Sequence, residues 1–401
     1  MTLLQVNDLS VTFRTDDGAV RAVHDLSFTL EAGKTLGIVG ESGSGKSVST
    51  QTIMGLTRGA TVTGQALYQG RDLLTMKDRD LQELRGNDIA MIFQDPLSSL
   101  HPHYTIGAQI VEVIRAHTDQ TKAQARARTV ELLALVGIPQ PARRLDDHPH
   151  QFSGGMRQRA MIAMALALNP KLIIADEPTT ALDVTVQAQI LDLLASMQRE
   201  SDAALIMITH DLGVVAEIAD DVLIMYAGTS IEQSDRSSTY YRPHHPYTRG
   251  LLESIPSFTG GRSRLKPIPG TPPSLISLPS GCAFHPRCAY VMDRCLTEVP
   301  ALHQLSGAEN HLSACFLPDE GTGFSEQALA ARLAAAQAQR PTAATLSATL
   351  AATGERPEDH LAGLAAAPEI LGASVDLSVF QAPEVQEVVA ENAAAAEEED
   401  R

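Results

Sequence analysis

The chain has 401 residues, 44% hydrophobic and 20% charged, with a formal net charge of −17, enough length for about two domains around a sizeable core. The acidic balance argues against bulk binding of nucleic acid, and the absence of Trp with only 4% aromatic residues leaves few platforms for stacking bases. No uncharged apolar run reaches about 18 residues, and Met1-Thr2-Leu3-Leu4-Gln5 lacks a basic region followed by an apolar one, so a soluble, cytoplasmic chain is expected.

Val11-Thr12-Phe13 and Leu26-Ser27-Phe28-Thr29-Leu30 alternate like strands and are joined through the polar turn Thr15-Asp16-Asp17-Gly18, which predicts an antiparallel leaf. Thr35-Leu36-Gly37-Ile38-Val39 reads as a buried strand, followed by the Gly-rich run from Gly40 to Ser47 and a helix from Lys46 to about Leu56. From Ile106 to Leu168 apolar residues recur at helical spacing, which places a mainly helical subdomain at about 97–170. Continuous apolar strands return at Leu172-Ile173-Ile174-Ala175, Leu205-Ile206-Met207-Ile208 and Val222-Leu223-Ile224-Met225, as in a parallel sheet covered on both faces. The fold class expected is therefore α/β, with an antiparallel β leaf, a parallel-sheet core and a helical subdomain, over residues 1–233.

After about Ser234 the texture turns Pro-, His- and Cys-rich, which predicts a small module over 234–320. From Gly321 onward Ala, Glu and Gln dominate, with 13 acidic and 4 basic residues and with Pro341, Pro357, Pro368 and Pro383 interrupting any long helix. That composition predicts a disordered acidic tail over 321–401.

Gly40-Glu41-Ser42-Gly43-Ser44-Gly45-Lys46-Ser47 fits the phosphate-loop pattern in full, between a strand and a helix as the mechanism requires. Its glycines let backbone N–H groups cradle phosphates, Lys46 reaches the β and γ phosphates, and Ser47 offers a hydroxyl to Mg²⁺. Asp176-Glu177 ends a hydrophobic strand at the edge where ligands bind in open α/β sheets. Asp176 suits the Mg²⁺ shell and Glu177 suits polarising an attacking water, although two acids there could also cap the next helix. Gln94 follows another apolar strand and has a side-chain amide within reach of metal or water; His210 ends a strand too, with an imidazole for a γ phosphate or for Glu177.

Ser153-Gly154-Gly155 opens a helix and exposes N–H groups where the helix dipole favours an anion. It is either a second nucleotide-facing surface, for a nucleotide held by another subunit, or a Gly-rich turn capped by Ser153. Cys282, Cys288, Cys295 and Cys315 are the only cysteines, with gaps of 5, 6 and 19 residues. A cytoplasmic chain seldom keeps disulfides, so a thiolate-bound metal is expected, either tetrahedral Zn²⁺ or a [4Fe-4S] cluster, with unligated thiols as the alternative. The gaps do not match the Cys-x₂-Cys pairs of zinc ribbons, and the nearby His285, His303 and His311 are not expected as ligands.

Gly40 to Ser47, Gln94, Ser153-Gly154-Gly155, Asp176-Glu177, Ala181-Leu182-Asp183 and His210 occur in the order and spacing of the ATPase subunit of ABC transporters, which this chain resembles. The resemblance implies a P-loop ABC ATPase that binds ATP and Mg²⁺. It implies Glu177 as the catalytic base, Gln94 as the sensor toward the membrane domain, Asp183 at the subunit boundary and His210 as the γ-phosphate switch. Phe93-Gln94-Asp95-Pro96-Leu97-Ser98-Ser99-Leu100, His244-His245-Pro246-Tyr247-Thr248 and the run from Gly281 to Cys288 look like the dipeptide and oligopeptide importer branch. Phe152 and Met156 flank Ser-Gly-Gly as is usual in that branch, while His101-Pro102 departs from the commoner Asn-Pro and Phe13 is the candidate for stacking on adenine. The branch implies a [4Fe-4S] cluster on the four cysteines. It also implies a second ATPase subunit (a homologous heterodimer, or a homodimer), two transmembrane permease subunits, an external substrate-binding protein, no nucleic acid, and a peripheral place at the cytoplasmic face of the cell membrane. Nickel, glutathione and antimicrobial peptides are alternative cargoes; a soluble regulatory ATPase of ABC type and a metal-sensing regulator are the rival readings.

Overall fold

The computed structural model describes residues 1–179, 184–254, 267–305 and 310–317; the expected tail and Ala181-Leu182-Asp183 lie outside these residues. The chain opens with two long strands, β1 (Thr2–Thr15) and β2 (Gly18–Glu31), paired antiparallel as the alternation predicts. They run well beyond the expected segments. Register shifts between Val6 and Leu9, beside Asp8 at φ 48, reset the period so that Leu4, Val6, Leu9 and Val11 are all buried.

Strand β3 (Thr35–Val39) feeds the phosphate-loop segment and helix α1 (Lys46–Ile53), one turn shorter than expected. Strands β4 (Ala60–Tyr68) and β5 (Arg71–Asp72) complete a four-stranded sheet in the order β2-β1-β4-β5. Helix α2 (Asp78–Leu84) leads to β6 (Ile89–Ile92).

The helical region begins at α3 (Pro96–Ser99) and continues as α4 (Ile106–His117), α5 (Lys122–Leu135), α6 (Pro141–Arg144) and α7 (Gly154–Ala165). Its starts follow capping chemistry: Thr105 accepts from the Ala108 N–H, and Thr121 forms a reciprocal box with Gln124.

Next come β7 (Leu172–Asp176), α8 (Val184–Ser201), β8 (Ala204–Thr209), α9 (Leu212–Ile218), β9 (Asp221–Tyr226) and β10 (Thr229–Asp235). After α10 (Arg236–Tyr241), α11 (Pro246–Glu253) and α12 (Asp293–Thr297), the short strands β11 (His303–Gln304) and β12 (Leu312–Ser313) end the described chain. The large sheet has the order β11-β12-β10-β9-β3-β8-β7-β6. It is parallel from β9 to β6 and antiparallel from β9 outward to β11.

Alternate residues of β7 and β8 enter different cores. Ile173, Ala175, Leu205 and Met207 join Phe152, Met161 and Ile190 in one, whereas Leu172, Ile174, Ile206 and Ile208 join Leu4, Leu26, Ile38 and Ile53 in the other. A period of two with apolar groups on both faces explains why these strands read as unbroken apolar runs.

The chain divides into two compact units. The first is Met1–Thr248 with Ser274–Leu278 and Ala301–Cys315, so β11 and β12 belong with the large sheet. The second holds Arg249–Pro273, Pro279–Pro300 and the chain from Phe316. Within it the Cys282 N–H donates to Cys295 O at 2.9 Å, Arg287 Nε donates to Pro269 O at 3.0 Å, and the Arg294 guanidinium lies 3.9 Å from the centre of the Phe316 ring.

Candidate functional site

The phosphate loop leaves β3 and turns directly into α1. Gly40 approaches so closely that a side-chain Cβ there would stand 2.3 Å from Met225 O, and Gly45, at φ +97, would place one 2.3 Å from Ala22 O. Only glycine fits both positions without moving backbone. Ser42 and Gly43 are exposed, and nothing lies within 4 Å of where a Gly43 Cβ would project, which leaves an open backbone cradle. Lys46 is buried and its Nζ donates to Gly40 O at 2.7 Å and to Glu41 O at 2.8 Å. Loss of hydration pulls its ammonium below the ordinary lysine range, against the nearby charges of Glu177, Asp176 and Glu41.

Ser47 Oγ donates to Asp176 Oδ1 at 2.7 Å, which joins the start of α1 to the end of β7. Burial raises the Asp176 carboxyl above its usual range, and the Ser47 hydrogen bond acts in the opposite direction. Glu177 follows with a left-handed backbone, φ 45, and its N–H donates to Ile208 O at 2.9 Å. Its carboxylate receives Gln94 Nε2 on Oε2 at 2.8 Å and faces His210 Nδ1 from Oε1 at 3.4 Å. The structure thus gathers Lys46, Ser47, Gln94, Asp176, Glu177 and His210, drawn from four strand ends, at one edge of the parallel sheet. The oxygens of Ser47 and Asp176 form a donor pair suited to Mg²⁺, and Lys46 with the open cradle suits a polyphosphate.

Ser153 caps α7: its Oγ accepts from the Met156 N–H at 3.3 Å. Ser153 and Gly154 are exposed, with nothing within 4 Å of a Gly154 Cβ, whereas Phe152 is buried in the core and anchors the loop. Both readings of the loop are compatible with this geometry, since a capped turn is also what presents free N–H groups at a helix start. Phe13 packs, partly buried, against the core beneath the leaf.

The ABC transporter family profile matches residues 23–180, and the profile of the oligopeptide/dipeptide transporter C-terminal region matches 231–295. The oligopeptide transport ATP-binding protein OppD of Salmonella typhimurium is 52% identical over 319 residues, which is 79% of this chain and 94% of that protein. The chain belongs to the ATP-binding proteins of the oligopeptide/dipeptide ABC transporter family. The dipeptide transport ATP-binding protein DppD of Escherichia coli is 48% identical over 325 residues, covering 80% of this chain and 99% of that one. Among solved structures, a dimeric ATP-binding cassette in a post-hydrolysis state bound to ADP and Pi is similar with a TM-score of 0.54 and 26% identity, over 58% of this chain and 98% of that one.

In this ABC ATP-binding protein the four cysteines do not gather as a single metal centre would need. None forms a disulfide, and among the described residues no group of three or more His, Cys, Asp or Glu side chains is placed to hold a metal ion. Cys282 and Cys295 do approach: burial raises the Cys282 thiol, with Cys295 adding to the rise. Cys288 Sγ accepts from the Tyr290 N–H at 3.3 Å.

Tyr247 was not among the residues the sequence singled out for the site, yet its hydroxyl accepts the N–H of Glu41 at 2.9 Å. The contact spans 206 residues, and only its place in the His-His-Pro-Tyr run marked it.

Proposed function

We propose that this protein is the ATP-hydrolysing subunit of an importer of dipeptides and oligopeptides, attached peripherally at the cytoplasmic face of its membrane. The observation that carries the reading is the joining of the phosphate loop to the acidic strand end through Ser47 and Asp176, with Glu177 held between Gln94 and His210. The similarity to OppD and DppD, whose names state oligopeptide and dipeptide transport, selects peptides over nickel, glutathione or antimicrobial peptides as cargo. Among the described residues no helix is long and apolar enough to cross a membrane.

In this reading Lys46 and the loop N–H groups hold the phosphates of ATP. Ser47 and Asp176, with Gln94, would hold Mg²⁺, which supplies charge neutralisation at the phosphates. Glu177 takes the proton of the attacking water, and Gln94 and His210 fix the carboxylate for that task. Ser153, Gly154 and Gly155 close over the nucleotide of a second ATPase subunit, so each site is completed by its partner. Two permease subunits and an external binding protein complete the importer.

The test is peptide uptake by the reconstituted complex. Glu177→Gln should abolish ATP-dependent uptake while ATP still binds, and a Glu177→Gln complex that hydrolyses ATP at the normal rate would sink the assignment.

A [4Fe-4S] cluster on Cys282, Cys288, Cys295 and Cys315 rests on the sequence alone, which confines all four cysteines to 34 residues. The thiols as placed do not fit a single metal ion, and no step of the ATPase cycle runs through the group. Iron and acid-labile sulfide in anaerobically purified complex would support the cluster; their absence would leave four thiols.

A further inference from the structure

The phosphate loop is held from outside by residues that take no part in the hydrolytic reading. On one side the Glu41 N–H donates to the Tyr247 hydroxyl at 2.9 Å, and on the other the Gly228 N–H, from the turn between β9 and β10, donates to Ser44 O at 3.1 Å. The Tyr247 side chain is fully buried, with its ring 4.8 Å from that of Tyr226. Its backbone is fixed as well, because Nδ1 of the buried His245 accepts the Tyr247 N–H at 3.1 Å.

What fixes His245 is a buried carboxylate. Glu232, on β10 and with no exposure, accepts the His244 N–H at 2.6 Å and the His245 N–H at 3.1 Å, and Oε1 lies 2.7 Å from His311 Nε2. His311 enters β12, where Ser313 pairs with Glu232 across the sheet. A carboxylate is costly to bury unless its oxygens are met in fixed geometry. Here the groups that meet it belong to two separate segments, 244–245 and 311, and the first of them delivers the hydroxyl to the loop two residues later.

We propose that Tyr247 is a positioning residue for the phosphate loop, and that Glu232 with His311 holds it in place, so that strand β12 is coupled to nucleotide binding. The proposal rests on the ATPase reading. A loop whose N–H groups already point at the phosphate site loses less freedom when nucleotide binds, and that saving appears as affinity. Loss of one such hydrogen bond weakens binding about fivefold.

The experiment uses the full chain in its assembled complex, with ATP as the probe. Three quantities are measured: KM and kcat for hydrolysis, the ATP-induced rise in Tm, and Tm without nucleotide. Tyr247→Phe keeps the ring and removes the acceptor used by Glu41. It should raise KM about fivefold and shrink the ATP-induced rise, while kcat at saturating ATP stays within about twofold and nucleotide-free Tm falls by only about 2–4 °C. His311→Gln, remote from the loop, should shift KM in the same direction by a smaller factor. An unchanged KM in Tyr247→Phe, or a lower nucleotide-free Tm with KM intact, overturns the positioning role. A KM unmoved by His311→Gln overturns the coupling to β12. Lys46→Ala run in parallel separates the two levels: if it binds ATP as well as the unmodified chain, the underlying nucleotide reading fails instead.

Discussion

Gln94 Nε2 donates to Glu177 Oε2 at 2.8 Å, across the gap between the ends of β6 and β7. Gln94 is exposed and lies one residue before Asp95, whose carboxylate caps α3 through the Leu97 and Ser98 N–H groups. A shift of α3 therefore reaches the carboxylate through a single amide. Gln94→Ala should lower kcat of the assembled complex about tenfold and weaken the coupling of hydrolysis to uptake, whereas Glu177→Gln should lower it by about a hundredfold or more with ATP binding retained. Phosphate release and ATP binding, measured on the same preparations, decide it; equal rates for Gln94→Ala and the unmodified complex would detach Gln94 from the reaction.

Lys46 is a second point of leverage because its ammonium is held over the loop carbonyls of Gly40 and Glu41 in a site that strips its hydration. Lys46→Ala removes a desolvated charge as well as the proposed phosphate ligand. Its ATP affinity should fall about a hundredfold or more, while the melting temperature without nucleotide stays level or rises slightly. A variant that keeps its affinity contradicts the placement of the phosphates.

Asp176 is raised by burial and lowered by Ser47, so its state is set by competition rather than by exposure to water. Asp176→Asn removes the anionic half of the Ser47–Asp176 pair and should raise the Mg²⁺ concentration needed for half-maximal hydrolysis by about tenfold. Ser47→Ala should act in the same direction. A Mg²⁺ titration that leaves both variants on the unmodified curve would remove the pair from the metal site.

The gathering of Lys46, Ser47, Gln94, Asp176, Glu177 and His210 at one candidate site could be read from sequence because each residue lies at or just past a strand end or at a helix start. The phosphate loop occupies eight consecutive residues, and its glycines are required by close backbone approaches at Gly40 and Gly45. The inner strands were legible because both faces are buried, so that the interiors of β3, β7 and β8 carry no polar side chain. Strand β10 was missed for the converse reason. Its residues, Thr229-Ser230-Ile231-Glu232-Gln233-Ser234-Asp235, hold one apolar side chain, and the buried Glu232 breaks the expected pattern of polar residues facing out. Its partners His244, His245 and His311 supply what the alternation lacks, and they lie 12, 13 and 79 residues away. No local period encodes such a contact.

Gly107, in the first turn of α4, is another residue whose importance lies in packing. Its N–H donates to Leu145 O at 2.9 Å, and a Cβ at this position would stand 1.8 Å from Leu145 Cδ2 and 2.6 Å from Leu145 O. Gly107→Ala gains helix propensity but must push backbone apart, and overpacking of this kind should destabilise the chain by about 1–3 kcal/mol. Ala108→Ser, at the exposed neighbouring position, should be nearly neutral. Urea unfolding of both checks this, and a Gly107→Ala chain as stable as its parent would mean that the Leu145 turn moves freely.

His245 makes stability depend on acidity. Its imidazole is fully buried and desolvation lowers its pKa to about 4, although Glu232 pulls in the opposite direction; His244 is lowered too, by burial and by the nearby His311 and Arg242. A neutral ring is also what the hydrogen bonding requires, since Nδ1 accepts the Tyr247 N–H. In the unfolded chain a histidine titrates at about 6.5. Between that value and about 4 the unfolded state takes up a proton that the folded state refuses, so stability present above the unfolded value is lost as pH falls through this window. By about pH 5 the loss from His245 alone is on the order of 2 kcal/mol. His245→Asn keeps a side-chain acceptor without a titrating ring; it should be less stable than the unmodified chain near neutrality but lose less on acidification. Unfolding free energies at about pH 7 and about pH 5 give both slopes, and because the carboxylates are common to the two chains, their difference isolates the ring. Parallel slopes would show that His245 is not the group that refuses the proton.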